Sequence, residues 1–313
     1  MSRFKVLSSL FAGALVVWLA SCSKGPINVN VAKVVSVEGT VMIQKAEGST
    51  PIKAFVGSEL LPDYVIRTVG EGRAKVQIGE RAVISVEPSS SMKVRDLFKD
   101  PVTGQENTRV EFTGGKSMVN ITKKLSSQDS FDVMTPSAVA GVRGTEFLID
   151  VEDPNGSKIA VTKGSVAVRT RIAALDDSKN DNMPVAVKEA LKELAQSQEV
   201  PVRVNQEVSV DKKEAEKKNE IINQVVQVAT EKMKDVMSKP DAPKESKVEA
   251  IQSALSSIVQ ESQKKIEVSA QNNEFKKNEV AELSAATKAK VESIEVYTPV
   301  PIEDLKSLKN KKD

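Results

Sequence analysis

Phe147-Leu148-Ile149-Asp150-Val151-Glu152-Asp153-Pro154-Asn155-Gly156-Ser157-Lys158-Ile159-Ala160-Val161 is the stretch on which the fold reading rests. Phe147, Ile149 and Val151 alternate with other residues, as do Ile159 and Val161, the two-residue period of strands with one face against a core. Asp153-Pro154-Asn155-Gly156 lies between them. Proline presets φ and glycine accepts a positive φ, so the segment predicts a β-hairpin. Outward from it the alternation recurs at Val35, Val37, Val41 and Ile43, at Ala74, Val76 and Ile78, and at Val83 and Ile84 before Pro88. Val166 and Val168 continue it after Lys163-Gly164, and all 15 glycines lie at or before Gly164. Residues 31–211 are therefore expected to form a mainly β domain of short strands and tight turns, either solenoid-like or a sandwich. An aromatic share of 4% predicts a core of Val, Ile and Ala.

Helical spacing appears first at Val187, Ala190, Leu191, Leu194 and Ala195. It predicts a short amphipathic helix near 185–198, inserted before a last strand pair at 200–204 and 208–210. Residues 212–295 are expected as an α-helical C-terminal extension. Ile222, Val226, Ala229, Met233 and Val236 form one stripe, and Pro240 with Pro243 marks a break at 240–243. A second run carries Val248, Ile251, Leu255 and Ile258, loses its stripe near Asn272 and Asn273, and recovers partially at Val280 and Leu283. An antiparallel hairpin would hide both seams; a self-associating coiled coil is the alternative. The basic end at 296–313, with Lys306, Lys309, Lys311 and Lys312, reads as a flexible solvated tail.

Composition excludes much chemistry. The chain has 313 residues, no histidine and one cysteine. No Ser-His-Asp or Cys-His pair, imidazole metal ligand or internal disulfide can form, so no enzyme, metal site or cofactor is expected. Arg3 and Lys5 precede an uncharged run from Val6 to Ala20, which reads as a secretory signal over residues 1–21. Leu19-Ala20-Ser21-Cys22 is similar to the lipobox of bacterial lipoproteins, in which the cysteine receives acyl chains of the palmitate kind. That resemblance implies a membrane tether at Cys22, a linker over 22–30, and export to the cell envelope. Ser23 and Lys24 lean the sorting toward the outer membrane. Removing Arg3 and Lys5 balances 45 Lys+Arg against 43 Asp+Glu, so no nucleic-acid partner is implied.

Three other motifs have bland readings. Thr113-Gly114-Gly115-Lys116-Ser117 has the end of a phosphate-binding loop but Val110 where that motif needs glycine, so it reads as a hairpin turn. The run Asp176-Asp177-Ser178-Lys179-Asn180-Asp181-Asn182 lacks the glycine and closing glutamate of a calcium loop and reads as a solvated acidic loop. Asn120-Ile121-Thr122 matches a glycosylation acceptor, which carries little weight on a bacterial export route.

Met134-Thr135-Pro136-Ser137-Ala138-Val139-Ala140-Gly141-Val142-Arg143-Gly144-Thr145-Glu146-Phe147 resembles the signature of the FecR domain, named for a ferric-citrate regulator. Gly39-Thr40-Val41, Gly57 to Thr68, Phe112 to Val119 and Lys163-Gly164-Ser165-Val166 resemble its other strands in order. Pro62-Asp63 stands where the family has glycine-aspartate, and Gly79-Glu80-Arg81 replaces an aspartate-glycine-serine turn. The resemblance implies a domain that contacts other envelope proteins, including receptors of the outer membrane. Family regulators also carry a cytoplasmic sigma-binding segment and a membrane span, which are not read in this chain, so direct sigma-factor contact is not expected. Within the signature, Arg143 could clamp an anion or pair internally with Glu146, and the second is favoured. Thr135 and Pro136 read as an extended lead-in, Gly141 and Gly144 as turn or close-packing positions, and Val142, Thr145 and Phe147 as parts of the same structural or partner-binding signature. The expected function is a lipid-anchored envelope protein whose FecR domain is a non-catalytic binding or scaffold module. The alternative is an envelope signalling component that senses an outer-membrane receptor.

Overall fold

The computed structural model describes residues 28–29, 31–123, 125–152, 155–177, 183–238, 244–271 and 280–301. The signal at 1–21, Cys22, the break at 240–243, Asn272, Asn273 and the four lysines of the tail lie outside the described residues. The chain is mainly β with a helical C-terminal part. Its strands are β1 (Asn28–Val29), β2 (Ala32–Gln44), β3 (Ile52–Lys53), β4 (Glu59–Leu60), β5 (Val65–Ile78), β6 (Ala82–Val86), β7 (Ser91–Lys99), β8 (Glu106–Ile121), β9 (Ser130–Met134), β10 (Ala138–Val142), β11 (Glu146–Glu152), β12 (Gly156–Lys163) and β13 (Ser165–Thr170). Helices α1 (Ala173–Asp176) and α2 (Val185–Ser197) precede β14 (Val200–Arg203) and β15 (Gln206–Asp211). Helices α3 (Lys212–Ser238) and α4 (Lys244–Gln271), strand β16 (Val280–Glu282) and helix α5 (Ala285–Glu292) complete the order.

The two strands of the hairpin pair as expected, while Asp153 and Pro154 of its turn lie outside the described residues. β11 pairs antiparallel with β12 from Phe147↔Val161 to Glu152↔Gly156, and Gly156 closes it at φ +130°. A side chain there would put Cβ 2.3 Å from the Val210 carbonyl oxygen, so glycine is required on steric grounds as well. Every described pairing is antiparallel except β8 with β9. The core is mostly aliphatic, as the composition suggests: Val34, Ile66, Val76, Ile84, Val119, Ile149 and Val161 are among its members, with Phe112, Phe131 and Phe147 as its large aromatic side chains.

Four local readings change. The core phase of β2 runs through Ala32 and Val34 rather than Val35, because the register with β5 slips between Val34 and Ser36 and again between Glu38 and Thr40. The first slip inserts an extra residue into β2 and moves the inward phase from Ala32 and Val34 to Val37, Val41 and Ile43; the second leaves two extra residues on β5 and keeps that phase. Thr113 to Ser117 is no hairpin turn. It lies inside β8 where that strand changes partner from β7 to β6, and the missing side chain of Gly115 admits Ser90, whose Oγ would lie 2.2 Å from a Cβ. The last two strands do not form a pair of their own: β14 joins β13 and β15 joins β12. Val280 and Leu283 do not resume a helix. β16 extends the sheet beyond β15 through Val208↔Val280, and α5 follows with Ser284 accepting the Thr287 N–H as its cap.

The helices form a second core. Ile172, Val187, Leu191, Leu194, Ile222, Ala229, Ala254 and Ile258 are buried together, with Val226, Met233 and Leu255 half-buried against them. The stripe expected on α3 is thus spent against α2 and α4 within one chain. Among the described residues no helix is long and apolar enough to cross a membrane.

Candidate functional site

The signature residues build two turns and a strand. Thr135 closes the β9–β10 turn: its N–H donates to the Ala138 carbonyl at 2.8 Å and its Oγ1 accepts the Ala138 N–H at 2.9 Å. Pro136 is half-buried, and Ser137 donates its hydroxyl to the Val210 carbonyl at 2.9 Å, which ties this turn to the end of β15. Gly141 sits on β10 between Asp132 and Ala167 in register, and Val142 faces the core. Arg143 and Gly144 form the turn into β11, Thr145 is buried and its carbonyl accepts the Ile121 N–H, and Phe147 is fully buried. The expected Arg143–Glu146 pair does not form. Glu146 accepts the Thr162 hydroxyl at 2.9 Å, while Arg143 is exposed at the turn and makes no ion pair among the described residues. An exposed guanidinium at a turn is available to an external anion or carboxylate.

Beside the signature lies a band of paired charges that periodicity could not locate. Arg95 and Arg171 share Glu111, at 2.5 and 2.8 Å, and Arg171 also bonds Asp177. Arg169 grips Asp176 in a fork at 2.6 and 2.8 Å. The two aspartates that open the acidic run are thus both held by arginines, Asp176 buried and the Asp177 side chain still 38% exposed. Burial works against both guanidinium charges, but the bonds to Asp176, and to Asp177 and Glu111, outweigh it and raise both pKa values. Burial also pushes the Asp132 carboxyl above its usual range despite Arg109 and Arg169 nearby. Every member has a partner of opposite sign, which is the arrangement of a brace between sheet and helix more than of a reactive centre. No group of three or more metal-ligating side chains occurs among the described residues. A cleft of about 360 Å³ between α2, α3 and α4 is floored by Thr170, Gln198 and Lys218.

The outer face of the sheet has a different character. Register places Lys75 and Gln77 of β5, Val83 and Ser85 of β6, and Met118 and Asn120 of β8 side by side on it, followed by Leu148 of β11. Met118, Leu148 and Ala160 are buried there by Leu283, Val291 and Ile294, and Lys290 of α5 bonds Asp150 at 2.5 Å. Residues 294–301 then run across the face as a strap. Gln77 holds Val300 by both its groups, donating to the carbonyl at 2.6 Å and accepting the N–H at 2.9 Å. Asn120 donates to the Tyr297 carbonyl at 2.8 Å. Lys75 bonds Glu295 at 2.5 Å and lies 4.5 Å from the centre of the Tyr297 ring. The first residues of the expected flexible tail are therefore bound, because side-chain amides on the sheet satisfy their backbone.

Residues 64–167 match the family model described as FecR protein. Two crystal structures of a candidate anti-sigma factor from Parabacteroides distasonis ATCC 8503, at 1.65 and 2.50 Å resolution, are similar at 15% identity, with TM-scores of 0.33 and 0.32. Each comparison covers 47% of this chain and 55% of the other, so the chain spans about half the length of those structures. No curated protein matches.

Proposed function

Because the chain carries a FecR domain at residues 64–167, we propose that it is an exported envelope protein whose β domain, residues 31–211, binds other proteins without catalysing a reaction. The observation that carries this reading is the family match over residues 64–167, which includes Thr135 to Phe147, together with the geometry of that stretch: its residues are spent on turns and core, and Arg143 is left exposed at the turn. We assign the finer architecture as a sandwich, since antiparallel pairing dominates, built of short strands around three long ones, β2, β5 and β8, of 13, 14 and 16 residues. Cys22 is the proposed lipid anchor, at the outer membrane, and the helices of 212–295 serve as a rigid adjunct to the β domain. The FecR match favours a second reading, in which contact with a membrane receptor is passed on as a signal.

The test is made in intact cells. A photocrosslinker placed at Arg143 should capture a discrete envelope protein, and Cys22→Ala should abolish both detergent-phase partitioning and that capture. Unchanged partitioning of Cys22→Ala removes the anchor. A crosslinker at Arg143 that captures nothing, beside one that does at an exposed position elsewhere, removes the assigned surface.

A further inference from the structure

We propose that the outer sheet face formed by Lys75, Gln77, Ser85 and Asn120 is a binding site for an extended peptide, that residues 294–301 occupy it in cis, and that its ligand in trans is a segment of a partner protein with an acidic residue two positions before an aromatic one. The contacts themselves define that chemistry. Gln77 reads both backbone groups of Val300 and Asn120 reads the carbonyl of Tyr297, three residues earlier, so the face grips an extended main chain whatever its side chains. Ser85 adds a longer contact to the Glu295 carbonyl at 3.5 Å. Selectivity comes from Lys75, which meets the carboxylate of Glu295 and the ring of Tyr297 at once. Thr298-Pro299-Val300-Pro301 favours an extended backbone before any contact is made, which lowers the ordering cost of docking.

The occupant is held for exchange. The Glu295 side chain is 78% exposed, and Val296 and Tyr297 are 42% and 36% exposed, so the strap contributes little buried apolar area beyond Ile294. A tethered segment competes at an effective concentration of about 1 mM, so an intrinsic Kd of about 0.1 mM is weakened about tenfold for a free competitor. The proposal deepens the protein-binding reading and rests on it only for the existence of a partner; purified components decide whether the face takes peptide at all.

The probe is a fluorescein-labelled peptide of residues 293–301, followed by anisotropy on the purified full chain. Glu295→Lys with Val300→Pro weakens the strap by removing its charge match and one N–H donor. We expect the peptide to bind that variant about tenfold more tightly than the wild-type chain, which still binds it and so reports even if the variant folds poorly. Lys75→Glu should weaken the native peptide and strengthen one carrying Glu295→Lys. Absence of peptide binding to a folded strap variant, or binding indifferent to Lys75→Glu, overturns the site. Neither result alters the crosslinking outcome at Arg143, so the two proposals fail separately.

Discussion

At Asp129 the N–H groups of Glu106 and Ser126 converge on one carboxylate, at 2.9 Å each, and Arg81 completes the site at 2.8 Å. Burial alone would raise its pKa, but these donors favour the charged form and bring it down from 3.8 to about 2. A carboxyl that ionises more readily when folded stabilises the fold above its unfolded pKa, and that contribution is lost as pH falls from about 4 to about 2. We expect Asp129→Asn to cost about 1–2 kcal/mol at pH 7 and nothing near pH 2, read from urea unfolding across that range. None of this is visible in the sequence, where Ser126 and Asp129 fall in a polar loop without periodicity. Arg143 shows the opposite case: its place in the signature was readable, while its exposure depended on Glu146 turning to Thr162.

Among elements, α2, α3 and α4 were readable because each carries its apolar residues at helical spacing: the stripe named on α2 is buried, and of that named on α3 Ile222 and Ala229 are buried with Val226 and Met233 half-buried. Which seam meets which was not, since a stripe specifies that it must be covered and not by what. Among the described residues the three helices cover one another. Ile258 is fully buried at their centre and Val228 is 47% exposed on α3. We expect Ile258→Ala to cost about 2–5 kcal/mol and Val228→Ala within about 0.5 kcal/mol of nothing, measured by chemical denaturation followed at the helical circular dichroism signal. Ultracentrifugation of the wild-type chain should show no species assembled through α3 or α4.

For the whole molecule, the sheet needs a cover on its outer face. Strand β6 is buried at all five positions, and in β11 Leu148 is buried although it alternates with Phe147 and Ile149. Continuous apolar runs of this kind, Ala82 to Ile84 and Phe147 to Ile149, signal strands buried on both faces, and they were the available hint of a second layer. A chain ending at residue 278 loses β16, α5 and the strap together. We expect it to bind the dye ANS and to melt several degrees lower, since Met118 and Leu148 are worth about 1.5–3 kcal/mol each when covered. The sequence by itself determined the strand-rich first half, the strand pair of the hairpin at Phe147 to Val161 and the inserted helix, because turns and periodicity are local properties of neighbouring residues. Only the tertiary structure decided the slips in β2, the arginine brace, and the return of residues 294–301 to strands more than a hundred residues earlier in the chain, because each depends on groups brought together from distant positions.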